Sequence, residues 1–544
     1  MKLSFLSSTI LSCGLLLSGA AAQAGVVFNT PLVKINQQWA VSAATTSEIV
    51  AYDPQTNLVF TASGDQVDVI DFTTGSSVGD PIDFSDFGGV QSVDVNQNGK
   101  LAIAVAADDG TQNGSVFVYE TNDLTMPSKT YEVGVLPDML TFTPDGSKIV
   151  VANEGEPNDA YTVDPNGSVS IIDVDAMTVE NVGFESFNGQ EDTLREAGVR
   201  IFGPDASASQ DLEPEYIAVS EDGTKAYVAL QENNALAIID LENPSADPDI
   251  VALGFKDYSL VGNEIDPSNE DGGIVFETQP NVVGMYQPDG IDTVTIGGTE
   301  YIVSANEGDA RDYDGFSEEE RADDDVPKAS NFGTPEQIAE LEQDENLGRL
   351  NVTVNPGIIP DGINDDGEFS TLFSYGARSF SLWSDEGELV FDSGSFVDET
   401  MASLGLYPDN RSDDKGSEPE AVEIGVIDDR TYLFLGLERA SAVMIFDLTD
   451  WDLDSITADD LDAFLVGVID TEGLARPEGL RFVTGEDGQG YLLIAYEGFE
   501  DDDDVLIETG TALYAISPVA EPASLALLGL GLTGLGVMRR RRAS

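Results

Sequence analysis

The sequence predicts an all-β protein, a β-propeller of about seven blades with two irregular insertions that carry short helices. Three observations carry that expectation. A unit of short apolar strands joined by glycine turns recurs at spacings of tens of residues; no long amphipathic helix separates the copies; and each unit is too small to bury its own apolar face, so the units must stack or close into a ring.

The clearest copy runs from Pro214 to Asp240. A first strand, Glu215 to Val219, leads through the turn Glu221-Asp222-Gly223 into Ala226 to Leu230, and a loop at Glu232-Asn233-Asn234 precedes a third strand, Ala235 to Asp240. The strands are wholly apolar or alternate with period two, and turn residues stand at both joints. Copies begin near Glu48, Val90, Pro137, Pro214, Pro288, Pro419 and Pro477. Their third strands close at Val69-Ile70-Asp71, Phe117-Val118-Tyr119, Ile171-Ile172-Asp173, Ile238-Ile239-Asp240, Phe380-Ser381-Leu382, Ile445-Phe446-Asp447 and Leu513-Tyr514-Ala515.

Two segments break the rhythm. One, from about Asn181 to Asp211, contains a helix expected over Glu191 to Ala197 and stopped by Gly198. The other, from Arg311 to Thr371, separates the second and third strands of the fifth unit. Within it Thr334-Pro335-Glu336-Gln337 reads as an N-cap, a first-turn proline and a capping-box partner, opening a helix through about Gln343. Long excursions of this kind serve as lids or surface ornaments.

A chain of 544 residues with 41% hydrophobic content can bury a large core, and one closed ring can use most of it. The net charge of −77, from 24 basic and 101 acidic residues, repels nucleic acid and anionic membrane, so no nucleic-acid partner is expected. Such acidity suits solubility in a saline or extracellular medium; it also suits hard divalent cations, which take carboxylate oxygens.

Both ends of the sequence address the protein outward. Residues 1–24 read as a signal peptide with an Ala22-Gln23-Ala24 cleavage pattern, which would remove the only cysteine, Cys13. The expected β-propeller domain is then 25–518. From 519 to 544 the chain carries Glu521-Pro522-Ala523-Ser524, an apolar run from Leu525 to Met538 and the basic end Arg539 to Arg542. The run is short for a stable membrane span. This tail resembles the PEP-CTERM sorting signal, departing from it at Ala520. The resemblance implies transient membrane insertion of the hydrophobic helix, processing by an exosortase-type enzyme, and delivery to the cell surface or extracellular matrix of a Gram-negative bacterium, near extracellular polysaccharide.

The chemistry is expected where equivalent residues converge. Asp138, Glu215, Asp289, Glu420 and Glu478 lead into first strands, and Glu154, Glu232, Glu307, Glu438 and Glu497 follow second strands, so a ring would gather both sets on one face. Crowded carboxylates repel one another and stay ionised only when cations or arginines neutralise them. Glu154, Glu215, Glu307, Asp309, Glu438 and Glu478 are therefore the candidate metal ligands, with calcium the expected ion. Arg311, Arg378, Arg439, Arg476 and Tyr313, in or beside the same segments, are the candidate ligand-binding residues. The competing reading is structural: an acid at the edge of a unit caps backbone amides or pairs with the next unit. A short run, Asn364-Asp365-Asp366-Gly367-Glu368, has the look of a calcium loop without full EF-hand spacing.

Ala152-Asn153-Glu154-Gly155-Glu156 and Ala305-Asn306-Glu307-Gly308-Asp309-Ala310-Arg311-Asp312-Tyr313 are near duplicates. With Tyr375-Gly376-Ala377-Arg378-Ser379-Phe380 and Leu437-Glu438-Arg439-Ala440-Ser441 they resemble the choice-of-anchor I family of bacterial surface propellers, over nearly the whole mature chain. Relatives in that family carry alkaline-phosphatase-like labels, and Glu438-Arg439 is similar to phytase-type propellers. The chain contains no histidine, which excludes His-ligated zinc, Ser-His-Asp triads and histidine bases. The function expected from these observations is an exported, monomeric surface propeller acting as a binding or scaffold protein through calcium. Two enzyme alternatives stay open: a calcium-dependent phosphoesterase with Glu307, Asp309, Glu438 and Glu478 on the metal and Arg311 or Arg439 on phosphate, and a lactonase-like propeller.

Overall fold

The computed structural model describes residues 33–43, 45–471, 473–485, 488–500 and 506–519. The leader at 1–24 and the tail beyond residue 519 lie outside the described residues. Among the described residues no helix is long and apolar enough to cross a membrane.

Seven four-stranded antiparallel sheets make up most of the protein. Their first strands are Val50–Asp53, Val90–Val95, Pro137–Phe142, Ile217–Val219, Ile291–Ile296, Pro419–Ile427 and Pro477–Thr484. Each sheet has one strand more than the repeat suggests from sequence. Some fourth strands, such as Ile82–Asp83 and Asp249–Ala252, are short and partly exposed and lack the apolar run that marks the central pair, whereas Leu465–Asp470 is longer and buried. In the seventh sheet the outer place is taken by Val33–Ser42, which pairs with Gly510–Pro518 from Val33 opposite Pro518 to Ser42 opposite Gly510. That pairing ties sequence-distant segments into one sheet.

The first strands lie against one another in chain order, and the seventh returns to the first. The core follows the same order as a series of slabs, each filling the space between two adjacent sheets. Phe60 and Ile103 join the first and second, Val150 and Val228 the third and fourth, Phe380 and Leu433 the fifth and sixth, and Leu493 and Val59 the seventh and first. Central strands are apolar on both faces because both faces are covered by neighbouring sheets. At ~25 cal/mol per Å² of apolar surface removed from water, these slabs are the main favourable term of the fold.

The first insertion lies between the third and fourth sheets and contains the helix Glu191–Ala197, capped by Gly198 at φ 96°. The second leaves the fifth sheet after Thr299–Asn306 and returns at Ser379–Ser384. Its helix Pro335–Leu341 has Thr334 as N-cap, with Gln337 completing the capping box. This insertion does not stand alone. Its strands Glu319–Arg321, Asn351–Thr353 and Leu372–Ser374 join Phe255–Asp257 and Val282–Met285 in a five-stranded sheet over Tyr258, Val326, Leu350 and Phe369. The segment 255–285, and the helix Phe396–Leu404 before the sixth sheet, are elements the repeat pattern does not announce.

Candidate functional site

A residue at or just before the start of each first strand points to one place. Glu48, Gln91, Asp138, Glu215, Asp289, Glu420 and Glu478, one from each sheet in order, line a single central cavity of about 430 Å³. The next residues, Ile49, Met139, Tyr216 and Ala421, form its apolar wall, and no lysine or arginine lines it. Burial, and then the charges of Asp289, Glu48 and Glu156, push the Asp138 carboxyl up to about 8. Burial first, and then the Asp289 charge, raise Glu215, Glu420 and Glu478 well above the ordinary carboxyl range. One Glu215 oxygen is buried with no hydrogen-bond partner among the described residues. Six carboxyl groups around one cavity with no basic residue in its lining form a strong field for a hard cation.

The residues following the second strands divide. Glu307 bridges two groups: its carboxylate lies within 4.8 Å of those of Asp289 and Glu420, and also of those of Glu418 and Glu438. The two groups have opposite electrostatics. Asp289 and Glu420 face the central cavity, whereas the Glu418 side is filled with cations. Lys415 bonds to Glu307, and Glu418 accepts from Arg411 Nε at 2.8 Å and Arg439 Nε at 3.3 Å. Burial works against the Glu418 charge, but Lys415, Arg411 and Arg439 outweigh it and hold its pKa below the usual carboxyl value. Glu438 stands beside it and goes the other way, up to about 8, through burial and the charges of Glu418 and Glu307. Gln231 Nε2 donates to the second oxygen of Glu307 at 2.9 Å.

Of the expected metal ligands, then, Glu215 and Glu478 line the central cavity. Glu307 reaches its edge but pairs with Lys415, and Glu438 belongs to the arginine-rich side. Glu154 is buried and feels Asp138 without lining the cavity, and Asp309 is exposed in a neighbouring hollow.

The expected ligand-binding residues are mostly engaged with other groups of the protein. Arg311 is buried, holding Asp211 and Glu213 while its guanidinium lies 4.4 Å over the Phe202 ring, so no face is left for phosphate. Arg378 is buried at φ 53° and donates to the carbonyls of Asp266, Ser412 and Asp414. Tyr313 donates to Glu156 at 2.7 Å. Arg476 reaches Glu497 at 3.3 Å, and Arg439 opens on a cavity.

Residues 48–451 match the choice-of-anchor I domain. The chain belongs to the choice-of-anchor I family. The match spans five of the seven sheets and three strands of the sixth and includes Glu307, Glu418 and Glu438, while Arg476 and Glu478 lie beyond it. Gigasin-3a of Magallana gigas is 34% identical over 142 residues, covering 22% of this chain and 48% of that protein. The mesenchyme-specific cell surface glycoprotein of Strongylocentrotus purpuratus is 26% identical over 235 residues, covering 36% of this chain and 30% of that protein. The chain therefore spans about half or less of these curated relatives. Hydrazine synthase of Kuenenia stuttgartiensis aligns over 84% of this chain and 94% of that chain with a TM-score of 0.45 and 14% identity.

Sequence reasoning missed Glu48, Gln91, Lys415 and Glu418 as members of the site. Gln91 breaks the acidic pattern of the lead-in position, but it stands beside Val90, where the second unit begins, and that register was the available signal. Glu418 at φ 55° directly precedes Pro419, and nothing in its neighbours announces that three cations converge on it.

Proposed function

We propose that the seven sheets are the blades of one β-propeller spanning the mature chain, and that the protein is an exported, surface-associated binding protein holding calcium on its axial carboxylates. The observation that carries this reading is the central cavity, into which seven successive lead-in positions deliver six carboxyl groups and one amide with no basic residue among them. Calcium suits such a site, since it takes several carboxylate and amide oxygens in flexible geometry, and extracellular modules bind it at roughly 10⁻⁴ to 10⁻³ M. Asp289 and Glu420, whose carboxylates lie within 4.8 Å of each other and of Glu307, would hold it, and Glu48, Asp138, Glu215 and Glu478 around the same cavity would add their field and draw in toward the ion. The bound ion would neutralise the ring and present a charged point to an oxygen-rich ligand on a surface or in a matrix. The word "surface" in the name of the sea-urchin relative favours the same location. Because Arg311 is fully committed to Asp211 and Glu213, a phosphoesterase that uses it on substrate is disfavoured.

The test is calorimetry of the chelator-treated protein with calcium, beside its melting temperature. Binding with a raised melting temperature supports the reading; no heat and no shift up to about 10 mM calcium, well above that range, ends it.

A further inference from the structure

A second cavity, of about 360 Å³, opens beside the axial site between the large insertion and the segment before the sixth sheet. It has the opposite character. In a chain with only 24 basic residues, Arg321, Arg411, Lys415 and Arg439 all line it. These cations are held in place by acids behind them and at the rim. Arg321 is fixed by Asp413 and Asp414, Arg411 by Asp414 and Glu418, Lys415 by Glu307, and Arg439 by Glu418 and Glu438.

Their donors are not exhausted by that anchoring. Arg439 makes its hydrogen bond through Nε, and its two terminal nitrogens hold none among the described residues. Arg411 uses Nε and Nη1, leaving Nη2 without a hydrogen bond among the described residues. Both side chains are about a quarter exposed, at 26% and 28%, so these nitrogens belong to groups that solvent reaches. Positioned guanidinium groups with spare terminal nitrogens suit the planar, bidentate recognition of an anionic group. The rest of the lining has another chemistry: the carboxylates of Asp309, Glu319 and Asp414 and the amide of Asn351 are hydrogen-bond partners for hydroxyl groups. The volume falls in the range of small-molecule sites, roughly 300–1,000 Å³.

We infer that this cavity binds an anionic sugar, with its carboxylate, sulfate or phosphate group on Arg411 and Arg439 and its hydroxyls on the acidic rim. The inference goes beyond the axial cation and does not depend on it. No covalent step is involved.

The experiment uses the full chain, with glucuronate, glucose 6-phosphate, glucose and inorganic sulfate as probes, each titrated in calcium and in chelator. Glucuronate or glucose 6-phosphate is expected to bind at least tenfold more tightly than glucose or sulfate, and Arg439→Gln to weaken that binding at least tenfold. Which of the two sugars binds better identifies the anionic group. Equal binding of glucose removes the role of the arginines, and equal binding of sulfate removes the sugar; either overturns the inference, as does silence from every probe at about 10 mM, the weak end of small-ligand affinity. Should Arg439→Gln lower the melting temperature, labelling of the unaltered protein by an arginine-specific dicarbonyl decides instead. Arg439 must be protected by the bound sugar, and labelling at an unchanged rate refutes the site. Sugar binding that persists in chelator while calcium gives no heat would sink the axial reading and leave this one standing.

Discussion

The Asp292 carboxylate accepts the backbone N–H of Ile424 at 2.9 Å, across the junction between the first strands of the fifth and sixth sheets. The device recurs: Glu423 accepts from Phe482 N at 2.8 Å, and Asp94 from Phe142 N at 2.9 Å. First strands are sheet edges whose amides face no further strand, and an unpaired buried amide is costly. An acid from one sheet closes the edge of the next, so part of the acidity of this chain is structural. Replacing Asp292 with alanine leaves the Ile424 amide unsatisfied and is expected to cost about 1–3 kcal/mol in urea unfolding, while Asp292→Asn keeps an acceptor and costs less.

The axial ring behaves differently, because its members repel. Glu215→Gln and Glu478→Gln are each expected to raise the melting temperature in chelator, by roughly 2 °C on the scale that about 1 kcal/mol produces in a large domain. Both should weaken calcium binding at least tenfold in titration. A variant that binds calcium as well as the unaltered protein would remove that residue from the site.

Stability in chelator should fall as pH rises. The carboxyls of Asp138, Glu423 and Glu438 are pushed up to about 8 and that of Glu307 to about 7, in each case first by burial. The unfolded chain releases these protons near the ordinary carboxyl value, around pH 4, and the folded protein only on approach to 7 or 8. Between those limits the folded state holds more protons, so the stability these groups contribute is complete below about pH 4 and is lost as pH rises through 7 to 8. Melting in chelator from pH 5 to 8.5 should show this decline. Calcium should flatten it and should release protons on binding, visible as a heat that varies with the buffer.

Arg311 sits between Asp211 and Glu213, all three buried. Arg311→Met strands two carboxylates in the interior and is expected to destabilise the protein by about 3–5 kcal/mol, the cost of removing one partner of a buried ion pair. Its effect on calcium binding at the axial cavity should be small while the protein stays folded. A stable Arg311→Met that loses ligand binding would restore the arginine to a direct role.

Gly308 and Gly376 interlock where the large insertion leaves and rejoins the fifth sheet. At φ 88° and 68°, a Cβ on Gly308 would lie 1.9 Å from the Gly376 nitrogen, and one on Gly376 would lie 1.9 Å from the Glu307 carbonyl oxygen. Gly376→Ala must open that contact and displace Glu307, so a loss of several kcal/mol of stability together with weaker calcium binding is expected. Circular dichroism melts and titration check it.

Much of this protein was legible in its sequence, wherever the determinant is local. The apolar runs at Ala226 to Leu230 and Ile445 to Asp447, with their turns, mark strands that the structure places at Lys225–Leu230 and Ala442–Asp447. The Thr334 cap and the Gly198 stop bound their helices because each acts within one turn of its own backbone. The lead-in acids were legible as a register, and register is what carried Asp138, Glu215, Asp289, Glu420 and Glu478 to one cavity.

The strand units, their order, the overall charge and the repeated acidic position are thus written in the residues themselves, because periodicity and turn chemistry depend on immediate neighbours. Which acids stay unneutralised emerges from the packing of distant segments. Lys415 meets Glu307 across 108 positions and Arg311 meets Asp211 across 100, and no local pattern encodes such partners. The same long-range docking drew 255–285 into the sheet of the large insertion, buried Arg378, and set a cationic cavity beside an acidic one. Counter-ion choice is a property of packed surfaces, settled when sheets and insertions meet.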